Sequence, residues 1–99
     1  MKISISSVHF KADKKLETFV QGRLEKLSSL FDGVIGGDVT LKINKSSKTD
    51  NKIAEIKLFI RGNDLFAKKQ SKTFEEAADN AVEALRKQLT RHKEKIKGL

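Results

Sequence analysis

The residues best placed to do chemistry in this sequence are a run of cations near its C-terminus. Arg86, Lys87, Arg91, Lys93, Lys95 and Lys97 follow one another with Glu94 as the single acid among them. Glu75, Glu76, Asp79 and Glu83 lie just upstream. Acids first and bases last suit a helix macrodipole, whose two ends each carry about half a unit charge. The dipole accounts for one or two cations in a final turn. Six over three turns repel one another at helical spacing and ask for an anionic partner. Phosphate is the natural choice, because cations that neutralise a nucleic-acid backbone release its condensed counterions. Lys14, Lys15, Arg23 and Lys26 form a second group, with Arg23 and Lys26 one helical turn apart. Lys42, Lys45, Lys48, Lys57, Lys68 and Lys69 are spread more evenly, as on a solvated face.

The composition agrees with a polyanion-binding role. The 99 residues hold 21 Lys and Arg against 13 Asp and Glu, a net charge of +8, and such an excess attracts polyanions. Hydrophobic residues at 37% and charged residues at 34% describe a soluble globular chain rather than a disordered one. The length allows one domain, expected over residues 1–99. With no cysteine there is no disulfide framework, thiolate metal site or thiol nucleophile. The N-terminus lacks a signal-peptide apolar run, and no stretch reaches the length of a membrane span. A cytoplasmic protein without membrane contact is expected.

Other chemistry is missing. His9 and His92 are the two histidines; they fall on different elements and belong to no metal spacing or catalytic triad. His9, beside Phe10, reads as a packed or capping residue. The pair Gly36-Gly37 lacks the following Lys-Ser/Thr of a phosphate-binding loop. The expectation is a protein that is not an enzyme, with no cofactor and no small-molecule substrate.

The elements that must carry the cations are legible from periodicity. Ile3 and Ile5 alternate with serines in a short strand reaching about Val8. Asp13 is a helix N-cap, and Leu16, Phe19, Val20, Leu24 and Leu27 make one apolar stripe over about five turns. Gly22, inside that helix, reads as a point of close packing. Phe31, Gly33, Gly36 and Gly37 end the helix and form a loop. Val39, Leu41 and Ile43 alternate with polar residues in a second strand, and residues 45–52 form a polar loop. Ala54, Ile56, Leu58 and Ile60 give the clearest strand pattern, followed by a tight turn at Gly62-Asn63-Asp64 and a fourth strand through Leu65 and Ala67. Phe59 and Phe66 fit either a base-stacking platform or a cross-strand aromatic pair; no glycine-aromatic signature accompanies them, which favours the pair. Thr73-Phe74-Glu75-Glu76 has the form of a capping box. Behind it Phe74, Ala78, Ala81, Val82, Leu85, Leu89 and Ile96 stripe a helix of about six turns.

The order βαβββα predicts an α+β fold: a four-stranded mixed sheet with the first two strands parallel and both helices packed on one face. The expected core is Ile3, Ile5, Leu16, Phe19, Leu24, Leu41, Ile56, Leu58, Val82, Leu85 and Leu89, each large member contributing roughly 1.5–3 kcal/mol of burial.

Several segments together resemble the ribosome hibernation-promoting factor and ribosome-associated inhibitor family, in its short form. They are Ile3-Ser4-Ile5 with His9-Phe10, then Val20 to Leu27 leading to Phe31-Asp32, and above all Gln88-Leu89-Thr90-Arg91-His92-Lys93-Glu94-Lys95. No one motif is diagnostic; their co-occurrence in order along the whole chain carries the resemblance. It implies a fold like that of double-stranded-RNA-binding domains. It also implies binding to the small ribosomal subunit and its rRNA in the channel of mRNA and tRNA anticodon ends, which silences translation under stress or in stationary phase. Carried over by position, the RNA-contacting residues would be Arg23, Lys26, Arg86, Lys87, Arg91, His92, Lys93 and Lys95. Ending at Leu99, the chain is expected to lack the C-terminal dimerisation domain of long members; short members in some bacteria act with a separate ribosome modulation factor. The alternative is a general structured-RNA-binding protein without ribosome specificity. Lys69 departs from the family pattern, falling where an inward and usually small strand residue is expected. Either the strand slips there, or Lys69 reaches past the sheet edge.

Overall fold

Asp13 starts the first helix in the way its position requires: its carboxylate accepts from the Leu16 N–H at 2.8 Å, satisfying one of the donors a helix N-terminus leaves unpaired. The structure, a computed structural model, describes residues 1–97, with side chains described as far as residue 93. Its elements are β1 (Lys2–Val8), α1 (Lys14–Leu30), β2 (Val34–Ile43), β3 (Lys52–Ile60), β4 (Asn63–Ser71) and α2 (Phe74–Lys97). The order is βαβββα, and the strands form one mixed sheet in the order β1-β2-β3-β4. β1 runs parallel to β2, while β2–β3 and β3–β4 are antiparallel. Among the described residues no helix is long and apolar enough to cross a membrane.

Both helices pack on the sheet face that carries Val39, Leu41, Ala54, Ile56, Leu58 and Ala67. The largest fully buried side chains are Leu24, Leu41, Ile56, Leu58, Leu85, Val20 and Val39. Ala77, Ala78 and Ala81 are also fully buried, so α2 approaches the sheet along a strip of small residues. Four members of the expected core are only partly buried: Ile3, Ile5, Phe19 and Val82 pack against the cluster from its rim. Ile3 and Ile5 belong to edge strand β1, where one side of each residue has no neighbouring strand. Phe19 and Val82 sit on the flanks of their helices rather than on the buried stripes. Ile96 lies outside the described side chains.

Other expectations need correction. Gly36 and Gly37 are not a loop; they lie inside β2, which begins at Val34 rather than Val39. A bulge between Val34 and Gly36 interrupts the register there. A Cβ on Gly36 would stand 2.6 Å from the Lys2 carbonyl oxygen, so glycine is what lets β1 approach. Gly22 has no atom within 4 Å of the place its Cβ would occupy and is exposed, so it serves no close packing. The turn between β3 and β4 is Arg61-Gly62, because Ile60 already pairs with Asn63. Gly62 takes a positive φ of 81° and Arg61 before it does not, the pattern of a type II turn, which favours glycine at its second central position. His9 is exposed with φ 70° and neither packs nor caps. Half of the capping box forms: the Glu76 N–H donates to Thr73 Oγ1 at 3.1 Å. Phe59 and Phe66 share the open sheet face but sit diagonally, opposite Asp64 and Lys57 respectively. They make no stacked pair; the stack found is Phe10 on Phe74, with ring centres 4.4 Å apart.

Candidate nucleic-acid interface

The two faces of the sheet differ in charge. On the open face Lys42, Lys57 and Lys68 pair with Glu55 and Asp64, and Lys2 and Asp38 lie on the same face outside these pairs. Glu55 takes Lys42 at 2.7 Å and Lys68 at 3.7 Å, and Asp64 takes Lys57 at 3.8 Å. This face is close to neutral, and the positive excess lies with the helices and their margins.

On the helical side, α2 divides its cations between two flanks, because residues on a 3.6-residue repeat cannot all face one way. On the α1 flank, Arg23, Lys26, Leu27 and Leu30 face Asp79, Val82, Glu83 and Arg86 across a groove. Arg23 is drawn over the groove: its Nε lies 3.0 Å from Asp79 Oδ1, and its guanidinium rests 4.8 Å from the centre of the Phe19 ring. Lys26, one turn on, is exposed. Arg86 donates to Glu83 from both Nε and Nη2, at 3.0 and 2.7 Å. These hydrogen bonds hold the Glu83 carboxyl below its ordinary range and raise Arg86 in turn. The groove thus has three cations, two already engaged by acids that a phosphate would have to displace.

On the other flank Lys87 and Arg91 face β4, where Lys69 joins them, together with Asn80, Ala84 and Gln88. At the end of the described side chains, His92 is half-buried and Lys93 exposed. They border a hollow floored by Phe31, Ile60 and Leu89 and rimmed by Asp32 and Arg61. Lys93 Nζ stands 5.9 Å from the centre of the Phe31 ring. Lys95 lies outside the described side chains. Among the described residues no group of His, Cys, Asp and Glu is arranged to hold a metal.

Residues 3–97 match the family model described as Sigma 54 modulation protein / S30EA ribosomal protein. The chain belongs to this family. Two relatives of the S30EA chain are named ribosome hibernation promoting factor: that of Escherichia coli K12 is 28% identical over 97 residues, covering 98% of each chain. That of Pseudomonas putida KT2440 is 28% identical over 99 residues, covering 100% of this chain and 93% of the other. A ribosomal subunit interface protein from Coxiella burnetii superposes with a TM-score of 0.83 at 19% identity, over 94% of this chain and 98% of that one. The N-terminal domain of Thermus thermophilus Protein Y superposes with 0.79 at 22% identity, over 93% and 99%. These two likenesses establish the fold.

In this S30EA chain the structure gathers Arg23, Lys26 and Arg86 in one groove, sets Lys87 and Arg91 on the opposite flank, and leaves His92 and Lys93 at the far end of α2. They do not form one continuous plate. Sequence reasoning missed Lys69 and Arg61 as members of these clusters. The β3–β4 register is unbroken from Ile60↔Asn63 to Lys52↔Ser71, with Ala54 opposite Lys69. The strand does not slip: Lys69 points to the helical side and, on an edge strand, stays exposed. The signal for Arg61 lay in the turn, one position before a glycine with positive φ.

Proposed function

We propose that this chain is a ribosome hibernation factor. It binds the small ribosomal subunit through rRNA, occupies the channel of mRNA and tRNA anticodon ends, and silences translation without acting as an enzyme. The cations Arg23, Lys26, Arg86, Lys87, Arg91, Lys93 and Lys95, with His92, contact the RNA backbone. The reading is supported by membership of the S30EA family and by the names of full-length relatives. The observation that carries it is the segregation of charge: three of the open sheet face's cations are paired with acids of that face, and the cations of α2 outnumber the acids that engage them. A rigid surface of this kind recognises structured RNA by shape and by phosphate contacts rather than by base sequence.

The test is co-sedimentation with purified small subunits, with and without initiator tRNA. Pelleting that tRNA suppresses fits occupancy of the decoding channel. Pelleting indifferent to tRNA moves the site elsewhere on the subunit, and no pelleting at low salt rejects the ribosome reading.

A further inference from the structure

Lys68 and Lys69 are neighbours on β4 with opposite surroundings. Lys68 lies on the open face beside the Glu55 carboxylate, at 3.7 Å. Lys69 lies on the helical side, in a cleft with Lys87 and Arg91. Among the described residues the ion pairs are Arg23–Asp79, Lys42–Glu55, Lys57–Asp64, Lys68–Glu55 and Arg86–Glu83, and none involves these three cations. Glu83, the acid on the rim of this cleft, is turned to Arg86 by two hydrogen bonds and feels Lys87 only as a weaker Coulombic neighbour.

The cleft is built as well as charged. Asn80 Nδ2 donates to Ser71 Oγ at 3.3 Å on one side of Lys69, and Gln88 Nε2 donates to the Phe66 carbonyl at 2.9 Å on the other. These bonds join α2 to β4 above and below Lys69, beside the buried contact of Ala77, Ala78, Ala81 and Leu85 with the sheet. Between the two bonds α2 presents Ala84, whose small side chain leaves space for the lysine and for a ligand. Three exposed cations on two packed elements thus converge on one cleft, with the backbones that carry them already in place.

We propose that Lys69, Lys87 and Arg91 bind a second segment of RNA phosphodiester backbone, on the flank of α2 opposite the α1 groove. Helix α2 then stands as a ridge with phosphates on both sides, and Lys69 is an RNA-contacting residue supplied by the sheet. The proposal rests on the RNA-binding reading above and goes beyond it by adding a site and a residue that the helices alone do not provide.

The experiment measures binding of the full chain to purified small ribosomal subunits over a salt series, for wild type, Lys69→Ala, Lys69→Arg and Lys68→Ala. One lost phosphate contact lowers the log–log salt slope by roughly 0.7–0.9. Lys69→Ala is expected to show that loss with weaker binding at low salt; Lys69→Arg is expected to keep the wild-type slope, and so is Lys68→Ala. Wild-type binding with an unchanged slope in Lys69→Ala overturns this proposal alone, as does an equal loss in Lys68→Ala. Absence of wild-type binding overturns the RNA reading and this site with it. Circular dichroism of each variant checks that the fold is kept.

Discussion

The Arg23 guanidinium crosses from α1 to meet the Asp79 carboxylate of α2 at 3.0 Å, with both side chains nearly half exposed. The pair ties the two helices at the mouth of the groove where the proposed RNA backbone enters. Exposed pairs of this kind contribute about 0–1 kcal/mol, so the bond is too weak to be needed for folding. Its larger effect is to hold Arg23 away from a ligand. Asp79→Asn is expected to change unfolding in urea by at most about 1 kcal/mol while strengthening subunit binding, since it frees Arg23 and removes an acid. Weaker binding by a folded Asp79→Asn protein would show that the pair orients Arg23 productively.

Glu83 and Arg86 give a pH-dependent counterpart. The Glu83 carboxyl is held below its ordinary range chiefly by its hydrogen bonds from Arg86. A depressed acid stabilises the folded state above its unfolded pKa, and that contribution is lost as pH falls through the lower folded value. Glu83→Gln is expected to remove this part of the acid-side stability change. At neutral pH it should also tighten RNA binding severalfold by releasing Arg86. Urea unfolding at mildly acidic and neutral pH, with a binding curve at neutral pH, checks both.

Two glycines separate backbone freedom from backbone contact. Gly22 is in the middle of α1 with open space around it. Gly22→Ala is therefore expected to stabilise the fold by about 0.5–1 kcal/mol. Gly36→Ala sets a methyl group against the Lys2 carbonyl and is expected to destabilise by about 1–3 kcal/mol. Thermal melts of the two variants should move in opposite directions, by roughly 4–8 °C for each kcal/mol.

Specificity is open to a direct comparison. If the protein reads the arrangement of phosphates in one rRNA setting, an unrelated RNA duplex should bind more weakly than the small subunit at equal salt. Equal affinity would instead fit the general structured-RNA binder.

The element order was legible because each stripe or alternation is local. Leu16, Val20, Leu24 and Leu27 lie on one face of α1 and are buried there. Periodicity failed where the cause is not local. The Gly36-Gly37 pair looks like a loop, yet it sits within β2 because β1 packs closely beside it. Ile3 and Ile5 alternate like core residues, but burial depends on their position in the sheet, and β1 is an edge. The basic character of α2 could be read directly, and its partition could not. Whether Lys87 sits with Arg86 or with Lys69 depends on how α2 is rotated against β4. Burial of Ala77, Ala78, Ala81, Leu85 and Leu89 sets that rotation, and the bonds Asn80–Ser71 and Gln88–Phe66 accompany it. Which β4 residue the flank then meets cannot be read from spacing within α2.

Binding through the helical side differs from binding through net charge alone in what a charge-removing variant does. Two variants of equal charge change separate the two: Arg86, Lys87 and Arg91 all to Gln, against Lys42, Lys57 and Lys68 all to Gln. Both lose three positive charges, from opposite faces. Pelleting with small subunits near physiological salt is predicted to be lost in the first variant and kept in the second. Equal loss in both, or loss in the second alone, would contradict the account.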